Sequence, residues 1–314
     1  MNNLEKENII ALSLVKGIGS VSMKKSRATL IAFKNNIDLL LSINNKVSAQ
    51  QFQEHLNSAK KIIEDCNQLG VYIVTIVDDE YPRKLLAIKD PPPVLYLRGN
   101  INLLDNVVGI VGTRNSSELG NKIANKIGLY FNEHWSICSG LLEGIGKNSV
   151  CVNNEVLPNI IGVLSGGVNY ESTSSSTTQY LAEKVLINNG LLISEFEPNK
   201  KEDQFSTSKV HRIIAGISNA LILIQSSLTG GSKHALKTFS ELARPLGVVE
   251  FNTNQEYLND EIFSANRLLL SKQKEAIVEM CEIDKIEKIK ISKILCISNS
   301  DDYKLLEDEI KLIK

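Results

Sequence analysis

Val107-Val-Gly-Ile-Val-Gly-Thr-Arg-Asn-Ser-Ser-Glu-Leu-Gly120 opens with five apolar or glycine residues, turns at Gly112-Thr113-Arg114, and passes a serine pair into a run of helical period. The pattern predicts a buried strand, a tight turn exposing backbone N–H groups, and a helix whose N-terminus points at the same place. The first N–H groups of a helix are unpaired and its dipole is positive there, so such a turn collects anions. Arg114 adds a forked donor suited to phosphate, and Ser116 of the serine pair a hydroxyl. The expected partner is a phosphate-bearing molecule.

Working outward, similar β-branched runs recur at Val71–Val77, Val94–Leu97, Trp135–Cys138, Ile160–Leu164, Leu191–Phe196, Ala220–Gln225 and Leu246–Phe251. Helical patterns lie between them, as at Leu119, Ile123, Ile127 and Phe131. Continuous apolar strands alternating with amphipathic helices indicate an α/β fold: a mostly parallel sheet with helices on both faces. Pro91-Pro92-Pro93 forms a rigid, extended lead-in to it. Residues 1–68 read as a small all-helical domain, 70–280 as the α/β domain, and 281–314 as a short helical C-terminal appendage. In the first of these, Gly17-Ile18-Gly19 joins two short helices. It is either a helix-hairpin-helix turn whose N–H groups hold a phosphate, or a plain helical corner ended by glycine.

Composition narrows the class. A 43% hydrophobic, 23% charged chain supports a buried core and excludes a disordered protein. The net charge of −1 argues against a non-specific basic nucleic-acid binder, while leaving room for a locally basic pocket. Cys66, Cys138, Cys151, Cys281 and Cys296 show no Cys-x-x-Cys spacing, which disfavours a disulfide scaffold or structural zinc. The sequence shows no signal peptide and no membrane-length apolar run, so the expected location is cytoplasmic.

Ligands of an open parallel sheet sit beyond the carboxyl ends of its strands. Those ends carry Gly112-Thr113-Arg114, Ser139-Gly140, Ser165-Gly166-Gly167, Ser194-Glu195 and Thr229-Gly230-Gly231-Ser232-Lys233, the small polar residues a phosphate-cradling rim needs. A dinucleotide site is disfavoured, because Gly109, Gly112 and Gly120 do not make Gly-x-Gly-x-x-Gly; the Walker pattern is absent. Lys209, His211 and Arg212 fall at a helix start. They are either a solvated first turn or cations whose clash with the dipole is offset by something anionic. His55, His134, His211 and His234 are scattered without metal-ligand spacing, and no nucleophile–base pair stands out, so neither metal nor cofactor is expected. Glu195 and Glu197 stand as an unsupported acid–base pair.

Together these stretches resemble the Smf/DprA family of single-stranded-DNA-binding proteins over roughly residues 5–270. The resemblance is carried by Tyr81-Pro82-Arg83-Lys84-Leu85, Asp90 to Asn100, Ile110 to Arg114, Ser139-Gly140, Gly144-Ile145, Arg212-Ile213-Ile214-Ala215-Gly216-Ile217-Ser218 and Asn266-Arg267-Leu268-Leu269. It implies an extended Rossmann-like domain after a helical domain resembling a sterile alpha motif, acting as a homodimer. It also implies a non-catalytic protein that takes the phosphates of single-stranded DNA and hands the strand to a RecA-type recombinase. Carried over, Gly112, Thr113, Arg114, Ser116, Ser139, Gly140, Lys209, Arg212, Gly231, Ser232 and Lys233 would line the DNA site, with Gly17 and Gly19 as a further phosphate contact.

The departures cluster at that pocket. The family's Ser-Gly-x-Ala-x-Gly-Ile-Asp-x-x-x-His becomes Ser139 to Gly146 with Glu143 and Gly146, and with Val150 in the histidine position. Arg-Asn-Arg becomes Val210-His211-Arg212, losing a cation, and an acid after a late strand becomes Gln225. Such changes fit drift, or a changed role. The alternatives are an antitoxin in phage defence that neutralises a phosphoribosyltransferase-type toxin, and a sensor of a nucleotide-like ligand.

Overall fold

The structure, a computed structural model, describes residues 3–33, 49–203, 206–251 and 260–313. Its strands are β1 Tyr72–Thr75, β2 Val94–Gly99, β3 Val107–Val111, β4 Ser136–Ser139, β5 Cys151–Val152, β6 Glu155–Val156, β7 Ile160–Val163, β8 Leu191–Ser194, β9 Ala220–Leu223, β10 Leu246–Val249 and β11 Ile294–Ile297. Nine of these form one sheet in the order β1-β2-β8-β7-β4-β3-β9-β10-β11. From β8 to β11 every pairing is parallel, while β1–β2 and β2–β8 are antiparallel. All five residues of β3 are buried, as a strand covered on both faces must be.

The helices are α1 Asn3–Leu14, α2 Ser20–Lys25, α3 Arg27–Phe33, α4 Ala49–Gln68, α5 Arg83–Leu86, α6 Glu118–Asn132, α7 Ile145–Asn148, α8 Tyr170–Thr173, α9 Ser176–Ile187, α10 Ser206–Ile217, α11 Lys233–Ser240, α12 Ser264–Lys272, α13 Lys274–Cys281 and α14 Asp301–Leu312. Of the four residues at the expected spacing on α6, Ile127 and Phe131 are buried and Leu119 and Ile123 are half-buried against the core, with Ala124 buried between them. None of the helices is long and apolar enough to cross a membrane, among the described residues.

The N-terminal helices pack as the sequence pattern requires, with Ile9, Ile10 and Leu12 of α1 buried alongside Phe52, Leu56 and Ile62 of α4. Three cations lock this group to the rest of the fold by donating to carbonyl oxygens: Lys6 to Ile73 (2.8 Å), Lys24 to Ile88 (2.5 Å) and Arg27 to Ile76 (2.7 Å). Residues 34–48 of the expected 1–68 domain lie outside the described residues. One continuous core joins these helices to the sheet, so the 68/70 division is kept only as a proposal about folding units.

The C-terminal stretch departs from the expected helical appendage. β11 pairs in parallel with β10, from Leu246–Ile294 to Val249–Ile297, and so extends the main sheet. Ile289 and Ile291, which lie within the expected helical appendage, are instead buried in irregular backbone leading into the strand. α14 then docks on α6: the Tyr303 and Tyr130 rings lie 5.1 Å apart, and Trp135 Nε1 donates to Glu307 at 3.3 Å. The β5–β6 hairpin was not anticipated either. Its turn residues Asn153 and Asn154 both take positive φ (51° and 64°), as a two-residue hairpin loop requires.

Candidate phosphate-binding site

The chain leaves β3 in one direction towards β4, β7 and β8, and later fills the other side with β9, β10 and β11. The order therefore reverses between β3 and β9, the place where open α/β sheets bind ligands. A cavity of about 390 Å³ lies there. Gly112, Thr113 and Arg114 reach it from the end of β3, Ser139 and Gly140 from the end of β4, and Gly231 and Ser232 from the loop before α11.

Tight packing fixes the turn. Thr113 N–H donates to the Gln225 carbonyl at 2.7 Å, linking the ends of β3 and β9. Ile145 N–H donates to the Thr113 carbonyl at 3.1 Å, and Ile145 itself fills the space where a Gly112 side chain would stand. Gly144 takes φ +76°, and a Cβ there would fall 2.3 Å from the Arg114 carbonyl. Glycine is required on both counts, conformation and close approach.

The helix N-terminus after the turn is partly satisfied from within. Ser117 caps α6 by accepting from Gly120 N–H at 3.0 Å. The fully buried Gln225 accepts from the Ser117 N–H (3.0 Å) and from its hydroxyl (3.1 Å). Ser116 donates to Asn121 at 2.5 Å and stands outside the cavity lining. The cavity is thus lined by the turn itself rather than by the start of α6.

Arg114 is exposed at the cavity and forms no ion pair among the described residues. Two substituted positions face it. Val210 contributes a buried apolar wall against Gly140, and Glu143 brings a carboxylate. The Thr177 hydroxyl donates to Glu143 at 2.5 Å and, helped by Lys147, holds its carboxyl below the usual value, so it is charged at neutral pH. The serines offer less than their position suggests. Ser139 gives its proton to the Gly146 carbonyl at 3.1 Å, and Ser232 is bonded to the Ser226 hydroxyl.

Lys209 and Arg212 do not join Arg114. Val210, His211 and Ile214 face the cavity from α10, while Ser208, Lys209 and Arg212 face a separate cleft of about 950 Å³. Arg212 is buried, bonded to the Glu195 carboxylate and to the Asp90 carbonyl. Lys209 lies 3.5 Å from the same Glu195. The anion that offsets these cations is therefore internal, and Glu195 is an ion-pair partner rather than half of an acid–base pair. Lys233 begins α11 outside both lining sets, and Gly17 and Gly19 line the cleft. Val150, in the expected histidine position, is wholly buried. Gly112, Thr113, Arg114, Ser139, Gly140, Gly231 and Ser232 are thus the expected contact residues that line the Arg114 cavity.

Residues 72–283 match the family model for DNA recombination-mediator protein A. The chain belongs to that family. It is 29% identical over 177 residues to DNA processing protein DprA of Bacillus subtilis, covering 55% of this chain and 58% of that protein. It is 26% identical over 270 residues to protein Smf of Synechocystis, covering 78% and 64% respectively. The chain thus spans about three fifths of the length of these relatives. Among solved structures, DprA of Streptococcus pneumoniae superposes with a TM-score of 0.68 at 19% identity, over 96% of this chain and 95% of that one. DNA processing protein A of Helicobacter pylori, studied for its single-stranded DNA binding mode, gives 0.56 at 22% identity over 76% and 97%. Both likenesses establish the extended Rossmann-like fold.

Proposed function

We propose that this member of the recombination-mediator family is a non-enzymatic binder of single-stranded DNA, with one phosphate seated at the Gly112-Thr113-Arg114 turn. The observation that carries the reading is Arg114, exposed at a strand-end cavity and without a carboxylate partner among the described residues. Gly140 and Gly231 let a backbone approach closely there, and Gly112 shapes the turn. Guanidinium geometry suits phosphate oxygens, and phosphate contacts fix a strand without reading its bases. Family membership supports the ligand class, since the Helicobacter pylori protein of similar fold binds single-stranded DNA. In this reading the chain is a cytoplasmic homodimer that passes its strand to a RecA-type recombinase.

Binding of fluorescent oligo-dT, followed by anisotropy across a salt series, tests the proposal. Affinity should fall linearly in log–log form with salt, as phosphate neutralisation dictates. Wild-type protein that binds no oligonucleotide at low salt rejects it.

Glu143 and Val210 favour a second reading, because one adds a negative charge and the other an apolar wall beside the phosphate seat. In that reading the fold and a weaker nucleotide affinity persist, while the working partner is a phosphoribosyltransferase-type toxin. Co-expression with such a neighbouring gene product distinguishes the two: a stable, inactive complex supports the antitoxin role, and independent elution of both chains removes it.

A further inference from the structure

The larger cleft gathers Gly17, Gly19, Lys209 and Arg212, all expected from the sequence as phosphate contacts, and its construction differs from that of the cavity around Arg114. It lies between the N-terminal helices and the α10–α11 pair. Lys25 of α2, Lys89 of the loop before β2, Lys209 and Arg212 of α10, and Lys237 of α11 all line it. Glu195 engages Lys209 and Arg212 from behind the wall, and Asp90 and Glu241 are the acids among the described lining residues, which leaves a surplus of positive charge in the cleft. The smaller cavity, by contrast, sets Arg114 against Glu143.

Inward contacts hold the walls, which leaves the remaining cations for solvent or ligand. Arg212 clamps the Asp90 carbonyl and Glu195 together, fixing the 88–90 loop to α10. Lys24 donates to the Ile88 carbonyl at 2.5 Å, fixing the same loop to α2. Lys25, Lys89 and Lys237 are exposed, and no ion pair engages them among the described residues. Such like charges converging from three separate elements repel one another, a cost that a bound anion would offset. Burial, followed by the nearby charges of Lys233 and Lys237, also pushes the His234 imidazole below its ordinary value.

The two cavities share their walls. Successive faces of α10 line one and then the other, and α11 runs from Ser232 at the cavity to His234, Lys237 and Glu241 along the cleft. We infer that the cleft is a second phosphate seat, which takes the backbone of the same single strand as it leaves the Arg114 turn. The Gly17–Gly19 turn forms the far wall, so the N-terminal helices become part of the nucleic-acid surface. This inference rests on the reading of single-stranded DNA as the ligand.

The experiment compares oligo-dT of about 6 and about 20 nucleotides, a range of lengths spanning single-strand site sizes. Binding to each is measured for the wild type, for Lys89→Glu/Lys237→Glu, and for Arg114→Ala. All the substituted residues are exposed, and unchanged thermal unfolding verifies the folds. The cleft variant should lose about tenfold affinity for the long strand and little for the short one, and its salt slope should flatten by about 0.7 per lost contact. Arg114→Ala should weaken both lengths. A cleft variant that binds the long strand like wild type overturns the second seat alone. A wild type that binds neither length overturns the underlying reading instead. Addition of the long strand should also raise the titration midpoint of the His234 imidazole by NMR, and an unmoved midpoint counts against the cleft.

Discussion

Arg212 turns its guanidinium inward to the Glu195 carboxylate, and both side chains are nearly enclosed, at 11% and 7% exposure. Two residues that look like site chemistry in sequence are thus bound to each other in the fold. Breaking such a pair leaves each surviving charge with a weaker partner, Lys209 for Glu195 and the Asp90 carboxylate for Arg212, at a cost of up to about 3–5 kcal/mol. Glu195→Ala and Arg212→Ala should each lower stability by that order in urea titrations. Arg114→Ala, at an exposed position, should stay within about 0.5 kcal/mol of wild type. A Glu195→Ala protein as stable as wild type would remove the structural role assigned to the pair.

The same contrast inverts for binding. Arg114 offers at the cavity a guanidinium that no carboxylate engages among the described residues, so Arg114→Ala should weaken oligo-dT binding by about 1–3 kcal/mol, the scale of a charge-assisted hydrogen bond. Glu143 faces the same space as a carboxylate. Glu143→Gln removes that charge and should tighten binding by roughly threefold or more at low salt, an advantage that shrinks as salt screens it. An affinity unchanged at every ionic strength would place the bound phosphate away from this cavity.

These two predictions separate what was legible in the sequence from what was not. The strand ends, the Arg114 turn and the glycines around it were readable because strand period and turn chemistry are local properties. The partner of Arg212 was not readable, since Glu195 and Asp90 come from separate strand-end and loop segments. β11 was missed for a related reason. Its four residues lie between Lys293 and the polar run that starts at Ser298, and gain their place from pairing with β10, a non-local contact. The Asn153-Asn154 turn, by contrast, is a local hairpin signal, since asparagine tolerates the positive φ that both residues adopt.

His234 offers a pH test. Its pKa is lowered, first by partial burial and then by Lys233 and Lys237; Lys25, Lys89, Lys209, Arg212, Asp90 and Glu241 are the other charges of its cleft. The unfolded chain therefore takes up the proton first, near the ordinary value of 6.5. The stability contributed by this group is complete above that value and is lost as pH falls towards the folded-state value. His234→Gln should flatten this part of the stability profile, by a small amount because most of the side chain is in water. An unaltered slope between pH 7 and 5 (a window set around the ordinary histidine value) would assign the pH response elsewhere.

Gly144 provides the most direct test of how the phosphate turn is held. A methyl group at this position meets the Thr113 carbonyl at 2.4 Å and the Arg114 carbonyl at 2.3 Å, and the backbone already sits at φ +76°. Both carbonyls are backbone atoms of the turn, so no side-chain rotation relieves the contact. Gly144→Ala must therefore displace Thr113 and Arg114 or distort the start of α7, breaking the Ile145 N–H bond to Thr113. The expected cost is about 1–3 kcal/mol of stability, accompanied by a loss of oligonucleotide affinity comparable to that of Arg114→Ala. Gly146→Ala is the control for the carbonyl clash alone: it lines the same cavity, but its nearest neighbour, the Ser139 hydroxyl, would lie 3.3 Å from the new methyl group. If Gly144→Ala weakens folding but leaves affinity intact, the turn does not position the phosphate. If Gly146→Ala proves equally damaging to binding, the effect belongs to the whole loop rather than to the carbonyl contact.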